Sequence, residues 1–254
     1  MTNATITVIT PVWNNVDVIG DCLRSIKSQT TACQHIIVDG GSIDGTLEII
    51  RQHKMPDAVL ISEPDRGMYD AINKGLALAS GEVVGILNAD DFYPTTDVLE
   101  KIALAFADPK VDASYGDLLY VDREDTSRVT RTWRSGQYRR EKFYAGWMPP
   151  HPTFYLRRRL YREHGGYRLD LGTAADYELM LRMLLQHQAA AAYIPQVLVH
   201  MRTQGMSNAS ISNRLKANRN DRKAWQVNGL RPRPWTLVAK PLRKVGQWFD
   251  NARN

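Results

Sequence analysis

The chain has 254 residues, of which 43% are apolar and 24% charged. That is enough to build a core, and it excludes a disordered chain, a collagen-like repeat or a disulfide scaffold, since Cys22 and Cys33 are the only cysteines and form no CxxC. The net charge of +6 is unevenly placed: residues 214–254 hold 11 Lys/Arg against two acids, whereas the first 213 residues hold 22 against 25. The N-terminus lacks the basic and apolar regions of a signal peptide, and no apolar run approaches the roughly 20 residues of a membrane-spanning helix. A cytoplasmic chain is expected, with an anionic partner for the tail and not for the body.

The first half alternates strand and helix patterns. Residues Thr5–Pro11 read as a strand, and Val16–Gln29 as a helix with apolar Val16, Ile19, Leu23 and Ile26 on one face. Then come a strand over His35–Asp39, a helix over Asp44–His53, a strand over Ala58–Ser62 and a helix over Met68–Ala79. Glu82–Asn88 reads as a fourth strand and Thr96–Ala107 as its helix. Such alternation implies a parallel sheet with right-handed crossovers. Beyond it, Ala113–Val121 reads as a strand and 122–145 as a polar loop with short elements. Thr153–Leu156 reads as a strand, Arg157–His164 and Ala174–Gln186 as helices, and Ala191–His200 as a last strand. The tail after about 214 begins helical and is broken by Pro232, Pro234 and Pro241.

In open α/β sheets, ligands bind outside the carboxyl ends of the strands. Four successive strands here end in polar residues: Thr10-Pro11-Val12-Trp13-Asn14, Asp39-Gly40-Gly41-Ser42, Glu63-Pro64-Asp65-Arg66 and Asn88-Ala89-Asp90-Asp91. Carboxylates gathered on one rim repel unless a cation lies between them. Asp90 and Asp91 are hard oxygen donors suited to Mg²⁺ or Mn²⁺, which keeps part of its shell for water and phosphate oxygens. The competing reading makes Asp90-Asp91 the start of a loop before a helix capped by Thr95 or Thr96. The chain has no GxxxxGK[ST] and no GxGxxG, so neither standard phosphate loop applies. Asp39 is placed to accept hydrogen bonds from a base or ribose.

The ordered motifs TPVWN, DGGSIDGT, SEPDRGMYDAINKG, LNADD, HPTFY and GTAADYELMLR resemble those of inverting family-2 glycosyltransferases of the GT-A fold, over about residues 5–205. By pattern, the chain is most similar to bacterial enzymes of surface-polysaccharide synthesis. The resemblance implies a Rossmann-like, mostly parallel mixed sheet flanked by helices. A nucleotide-sugar half (about 1–110) and an acceptor half (about 111–213) would precede a basic extension over 214–254. It also implies roles. Thr10, Pro11 and Trp13 would line the nucleoside pocket, and Asp39 would meet the base, typically uracil. Asp65 and Arg66 would lie over the nucleotide or its phosphates. Asn88 and Asp90 would bind ribose, sugar or metal, with Asp91 ligating Mn²⁺ or Mg²⁺ directly. Asp176 falls at the catalytic base. His151 falls near the acceptor and diphosphate side, and His200 or Arg202 would meet the metal or diphosphate. Trp13 stands where Tyr is commoner, and Asn88 at the first position of the usual DxD.

Spacing alone gives Asp176 a second role, as N3 of a capping box opened by Thr173. Glu178, on another face of that helix, is the alternative base. Asp70 reads as a helix cap, and Asn73 and Gly75 as packing residues. In the tail, Trp225, Trp235, Trp248 and Phe249 lie among cations. That pattern suits an anionic membrane surface, or equally a helix pair packed on the domain or on another subunit. A nucleic-acid role is not expected, because the rim is acidic. The donor implied is a nucleotide sugar, UDP-linked by preference, and the acceptor a glycan or lipid-diphosphate-linked glycan. The alternative is a nucleotide-sugar-binding or membrane-surface scaffold without chemistry.

Overall fold

The computed structural model describes residues 4–203 and 211–240, with nothing stated of the side chains of 211–217. Its first half follows the predicted alternation: β1 (Ile6–Val12), α1 (Ile19–Lys27), β2 (Cys33–Asp39), α2 (Thr46–His53), β3 (Val59–Ser62), α3 (Met68–Leu78), β4 (Val83–Ile86) and α4 (Val98–Ala105). Strands β1 to β4 pair in parallel in the order β3-β2-β1-β4. The sheet reverses once, at β1, which puts a crevice at the carboxyl ends of β1 and β4.

The second half completes the same sheet. Its elements are β5 (Ala113–Val121), β6 (Val129–Trp133), α5 (Arg140–Tyr144), β7 (Tyr155–Arg157), α6 (Arg158–His164), α7 (Ala175–Met180), β8 (Ala191–Arg202) and α8 (Ile211–Val227). β7 pairs antiparallel with both β4 and β5, β6 antiparallel with β5, and β8 parallel with β5. Five strands therefore run with β1, and β6 and β7 run against it.

Three local departures from the sequence reading have physical causes. The stretch read as one helix over 174–186 is α7 followed by a π-helical turn, Leu181–Gln186, and it opens at Ala175 after Gly172 at φ 51°. Neither Thr95 nor Thr96 caps α4; the residue before its first turn is Asp97, whose side chain bonds Thr95 Oγ1 and Lys101. β7 starts late because His151–Thr153 forms a tight 3-10 turn around Pro152.

Side chains alternate across β1, so Val8 and Ile9 enter different cores. One core, with Val8, Ile37, Leu23 and Leu99, lies under α1, α2 and α4. The other, with Ile9, Val84, Phe154 and Tyr177, lies under α3, α7 and α8 and takes in Trp225 and Leu237 of the basic tail. Trp225 is fully buried and its Nε1 donates to Tyr177 Oη at 3.0 Å. Of the two readings of the tail aromatics, Trp225 takes the packed one: its neighbours Arg222, Lys223 and Gln226 face outward while it fills the groove beside α7. Trp248 and Phe249 lie outside the described residues.

Candidate active site

The crevice is built from four strand ends. At the end of β1 the chain turns through Asn14, at φ 47°. The Asn14 amide donates to Ser42 Oγ at 2.8 Å, and its Oδ1 accepts from the Ile43 amide at 3.0 Å. The loops after β1 and β2 are thus stitched together. Trp13, 58% exposed, stands out from this seam with an open ring face. Pro11 is buried in β1.

Thr10 does not line the crevice. It is buried, and its Oγ1 lies 3.0 Å from His35 Nε2 on the neighbouring strand. Burial pushes the His35 imidazole down to about 4, so the ring is neutral and can share one hydrogen with the hydroxyl. The strand period decides the matter: Thr10 points to the same side as Val8, into the core under α1, α2 and α4.

Asp39 is buried and well supplied. It accepts from Ser42 Oγ at 2.5 Å, Ser62 Oγ at 2.6 Å and the Ser42 amide at 3.2 Å. Gly40, next in sequence, leaves room for Asp65: a Cβ there would lie 2.5 Å from Asp65 Oδ2. Asp65 in turn accepts the Gly67 amide at 2.7 Å. Arg66 is largely exposed at the rim, and Asp70 ties it down by accepting its amide and its guanidinium at 3.1 and 2.8 Å.

The turn after β4 carries Asn88, Asp90 and Asp91. Asp91 is fully buried and Asp90 partly so. Burial, reinforced by the Asp90 charge, lifts the Asp91 carboxyl well above the carboxylate range, although Asn88 and the Arg202 backbone pull it back. Burial raises Asp90 too. Asn88 Nδ2 donates to Asp91 Oδ2 at 3.0 Å, which leaves Asn88 Oδ1 and Asp91 Oδ1 buried with no protein partner. Orphaned buried acceptors are costly. Two such hard oxygens beside a second carboxylate fit a small divalent cation. No three His, Cys, Asp or Glu side chains converge among the described residues, so the protein would supply only part of the shell.

Strand β8 closes this side. His200 pairs with Phe92 through two backbone hydrogen bonds, 3.1 and 2.9 Å, and its ring meets Phe92 edge-on at 5.3 Å. Burial lowers its pKa. Arg202, by contrast, is no free clamp for a diphosphate. It is buried, stacked over Phe92, ion-paired to Asp21 and bonded to the Asp90 carbonyl at 3.0 Å. It fastens the Asp90-Asp91 turn to α1 and β8.

Asp176 is half-exposed in the first turn of α7. The residue at the N-cap is Ala174, so the expected Thr173 capping box does not form. Asp176 Oδ1 instead accepts the Tyr177 amide at 2.7 Å. The charge still lies at the positive end of a helix. Around it stand three aromatic groups: Tyr69 stacks on Tyr167 at 5.4 Å, and His151 Nε2 lies 2.8 Å from Tyr167 Oη. His151 is buried and its pKa is lowered by that burial, with the Asp176 charge opposing.

Glu178 is not an alternative base. It is buried and bonded by Arg182 through Nε at 2.9 Å and Nη2 at 3.0 Å. Arg182 also donates to the carbonyls of Gly165 (2.8 Å) and Gly166 (2.7 Å) and to that of His164. The pair braces the loop that delivers Tyr167. Asn73 braces it from the other side, exchanging two 2.8 Å hydrogen bonds with the Tyr167 backbone. Nothing in the sequence around Tyr167 marks it as part of the site; its partner Asn73 lies 94 residues away.

The glycosyl transferase family 2 model matches residues 7–165, and the chain belongs to that family. It is 32% identical over 189 residues to an uncharacterised glycosyltransferase of Mycobacterium tuberculosis, covering 73% of this chain and 71% of that one. It is 29% identical over 210 residues to a PGL/p-HBAD biosynthesis glycosyltransferase of Mycobacterium bovis, covering 80% and 79%. Among solved structures, a mannosyltransferase of Pyrobaculum calidifontis in complex with GDP-Man and Mn²⁺ superimposes with a TM-score of 0.65 at 22% identity, over 99% of this chain and 74% of that one. S. aureus TarS 1-349 in complex with UDP superimposes with a TM-score of 0.67 at 16% identity, over 98% and 74%. The chain is a glycosyltransferase with the GT-A architecture.

Proposed function

We propose that this glycosyltransferase moves a hexose or N-acetylhexosamine from a nucleoside-diphosphate sugar, UDP-linked by preference, to a glycan or lipid-diphosphate-linked acceptor of bacterial polysaccharide synthesis. It acts from the cytoplasmic side with inversion. The observation that carries this reading is the placement of Asp176: a half-exposed carboxylate, fixed by the Tyr177 amide, at the open start of a helix.

On the donor side, Trp13 offers its face to the base, while Pro11 and the Asn14 seam support it. Recognition at Asp39 requires a base N–H to replace one of its serine donors. Arg66 lies at the rim where a diphosphate would pass. Asp91, Asn88 and Asp90 would hold Mn²⁺ or Mg²⁺, with His200 at the edge of that group. Such an ion supplies neutralisation of the charge that develops on the leaving diphosphate. On the acceptor side, Asp176 takes the proton of the acceptor hydroxyl as its oxygen attacks the anomeric carbon. The anomeric carbon–oxygen bond to the diphosphate breaks on the opposite face, so a single displacement inverts the configuration. His151, neutral through burial, and Tyr69 line the acceptor approach without carrying charge into it.

The test is a panel of nucleotide sugars with Mn²⁺ or Mg²⁺, run beside Asp91→Ala and Asp176→Asn. The expected result is metal-dependent turnover of one donor, lost in Asp91→Ala. Asp176→Asn should fall by about 100- to 10,000-fold in kcat while still binding that donor. Full transfer by Asp176→Asn would remove the base assignment. Donor binding without turnover in the unaltered chain would leave a binding protein.

A further inference from the structure

The described part of the tail has an inner and an outer side. On the inner side Ala224, Trp225 and Leu237 enter the core. The helical turn over 236–240 is held by Thr236 Oγ1, which donates to the Tyr144 carbonyl at 2.6 Å. Lys240 Nζ adds two 2.9 Å contacts to the carboxylate of Asp221. On the outer side Trp235 and Val238, three positions apart, are 54% and 60% exposed. Arg231 and Arg233 are exposed beside them, and the Arg233 guanidinium lies 5.7 Å from the Trp235 ring and 5.5 Å from that of Tyr144. An indole and a valine held out on a pinned turn, flanked by guanidinium groups, form a small rigid amphipathic face.

We propose that this face seats the enzyme on an anionic lipid bilayer, with Trp235 and Val238 at the headgroup–acyl boundary and Arg231 and Arg233 against lipid phosphates. Charge argues for that occupant. Residues 214–254 carry a net +9 while the rest of the chain is slightly acidic, and Arg231 and Arg233 of that stretch are exposed beside Trp235 and Val238. A second copy would set two such tails against each other, and like charges at an interface oppose docking. Trp prefers the membrane interface because its ring is apolar and its N–H polar. The position suits the reading of a lipid-linked acceptor, on which the purpose of the face rests. α8 is ion-paired to the segment leading into α7, Lys223 Nζ to Asp170 at 2.9 Å, and Asp176 lies in the first turn of α7. The face and the base therefore belong to one braced scaffold.

Co-sedimentation of the full chain with phosphatidylcholine vesicles, with and without about one-third phosphatidylglycerol, tests this directly. Binding is expected only to the anionic vesicles and is weakened by salt. Trp235→Ala with Val238→Ala should lower partitioning about tenfold. Arg231→Gln with Arg233→Gln should lower it about fivefold per charge. All four side chains are exposed, so an unchanged melting temperature and unchanged transfer to a water-soluble acceptor are expected. Three results would overturn the proposal: no binding of the unaltered chain, full binding by the Trp235/Val238 variant, or a dimer in light scattering that this variant dissolves. An active Asp176→Asn would sink the catalytic reading and leave the vesicle result standing.

Discussion

The half from β1 to α4, to which we assign the donor, and the half from β5 to β8, to which we assign the acceptor, hold their functional groups by different means. In the donor half short polar side chains do it over short distances. Asn14, Ser42, Ser62 and Asp39 knit strand-end loops, so the rim is shaped by local hydrogen bonds between adjacent strands. In the acceptor half one carboxylate is held by its own helix. The surrounding wall joins Tyr167 and His151 to Tyr69 of α3 and is fixed by long-range braces, the buried Glu178–Arg182 pair and Asn73, which α3 also supplies. The difference teaches that the seam between the ends of β1 and β2 should tolerate changes elsewhere, whereas the Asp90-Asp91 turn depends on Arg202 of β8 and the wall around Asp176 on a few buried contacts.

The sharpest attack on this contrast is Glu178→Ala. It strands the Arg182 charge in the core and should cost about 3–5 kcal/mol, read as a fall in denaturant midpoint. Glu178→Gln, which keeps an acceptor for Arg182 and the arginine's bonds to the Gly165 and Gly166 carbonyls, should cost less. Equal losses would mean the pair is not the brace described. Next, Asn73→Ala removes two hydrogen bonds to Tyr167 and should cost about 2 kcal/mol. Its kcat for transfer should fall while donor binding, measured by calorimetry, stays within twofold or so. A weakened donor would show that the halves are not separable in this way.

The metal side gives a smaller effect with a definite sign. Asp91 has a carboxyl raised by burial, so the folded chain holds its proton more tightly than the unfolded chain does. In chelator, stability should therefore fall as pH rises from the ordinary carboxylate value toward the raised one. Asp91→Asn should flatten that slope. Mn²⁺ should raise the melting temperature of the unaltered chain at neutral pH, by about 1–3 kcal/mol of linkage at saturating metal, and leave Asp91→Asn unmoved. Smallest is Thr10→Val, which should cost about 1 kcal/mol for the lost contact with His35 and leave donor affinity alone. A drop in donor affinity would return Thr10 to the crevice.

Much of the donor half was legible in the sequence. β1 to α4 fall within a few residues of the predicted runs, since β-branched strands and amphipathic helices write their period locally. The polar strand ends also pointed to the rim. Less was legible beyond residue 110. β6 and α5 sit in a stretch with no clear period, and the π-helical turn hides inside an unbroken helical pattern. Glu178 and Asp176 share a helix and a residue type, and only the packing of Arg182 across from Gly165 and Gly166 separates them. Basic neighbours left Trp225 open to both a surface and a packed reading, and only its contact with Tyr177 places its ring in the core. Arg202 looked like a ligand for the same reason in reverse: a cation near an acidic rim, with its partner Asp21 located 181 residues earlier.

β8 leaves the acceptor half and finishes beside Phe92, with Arg202 gripping the turn that carries Asp90 and Asp91. A chain cut near residue 110 would strip β4 of its neighbour β7 and leave a raw strand edge open to aggregation. The acidic turn would lose its guanidinium at the same stroke. The two halves are therefore poor modules for recombination. A chimaera that borrows a donor half from one relative and an acceptor half from another has to carry β7 and the end of β8 across with the donor half, as if the junction ran through space and not along the chain.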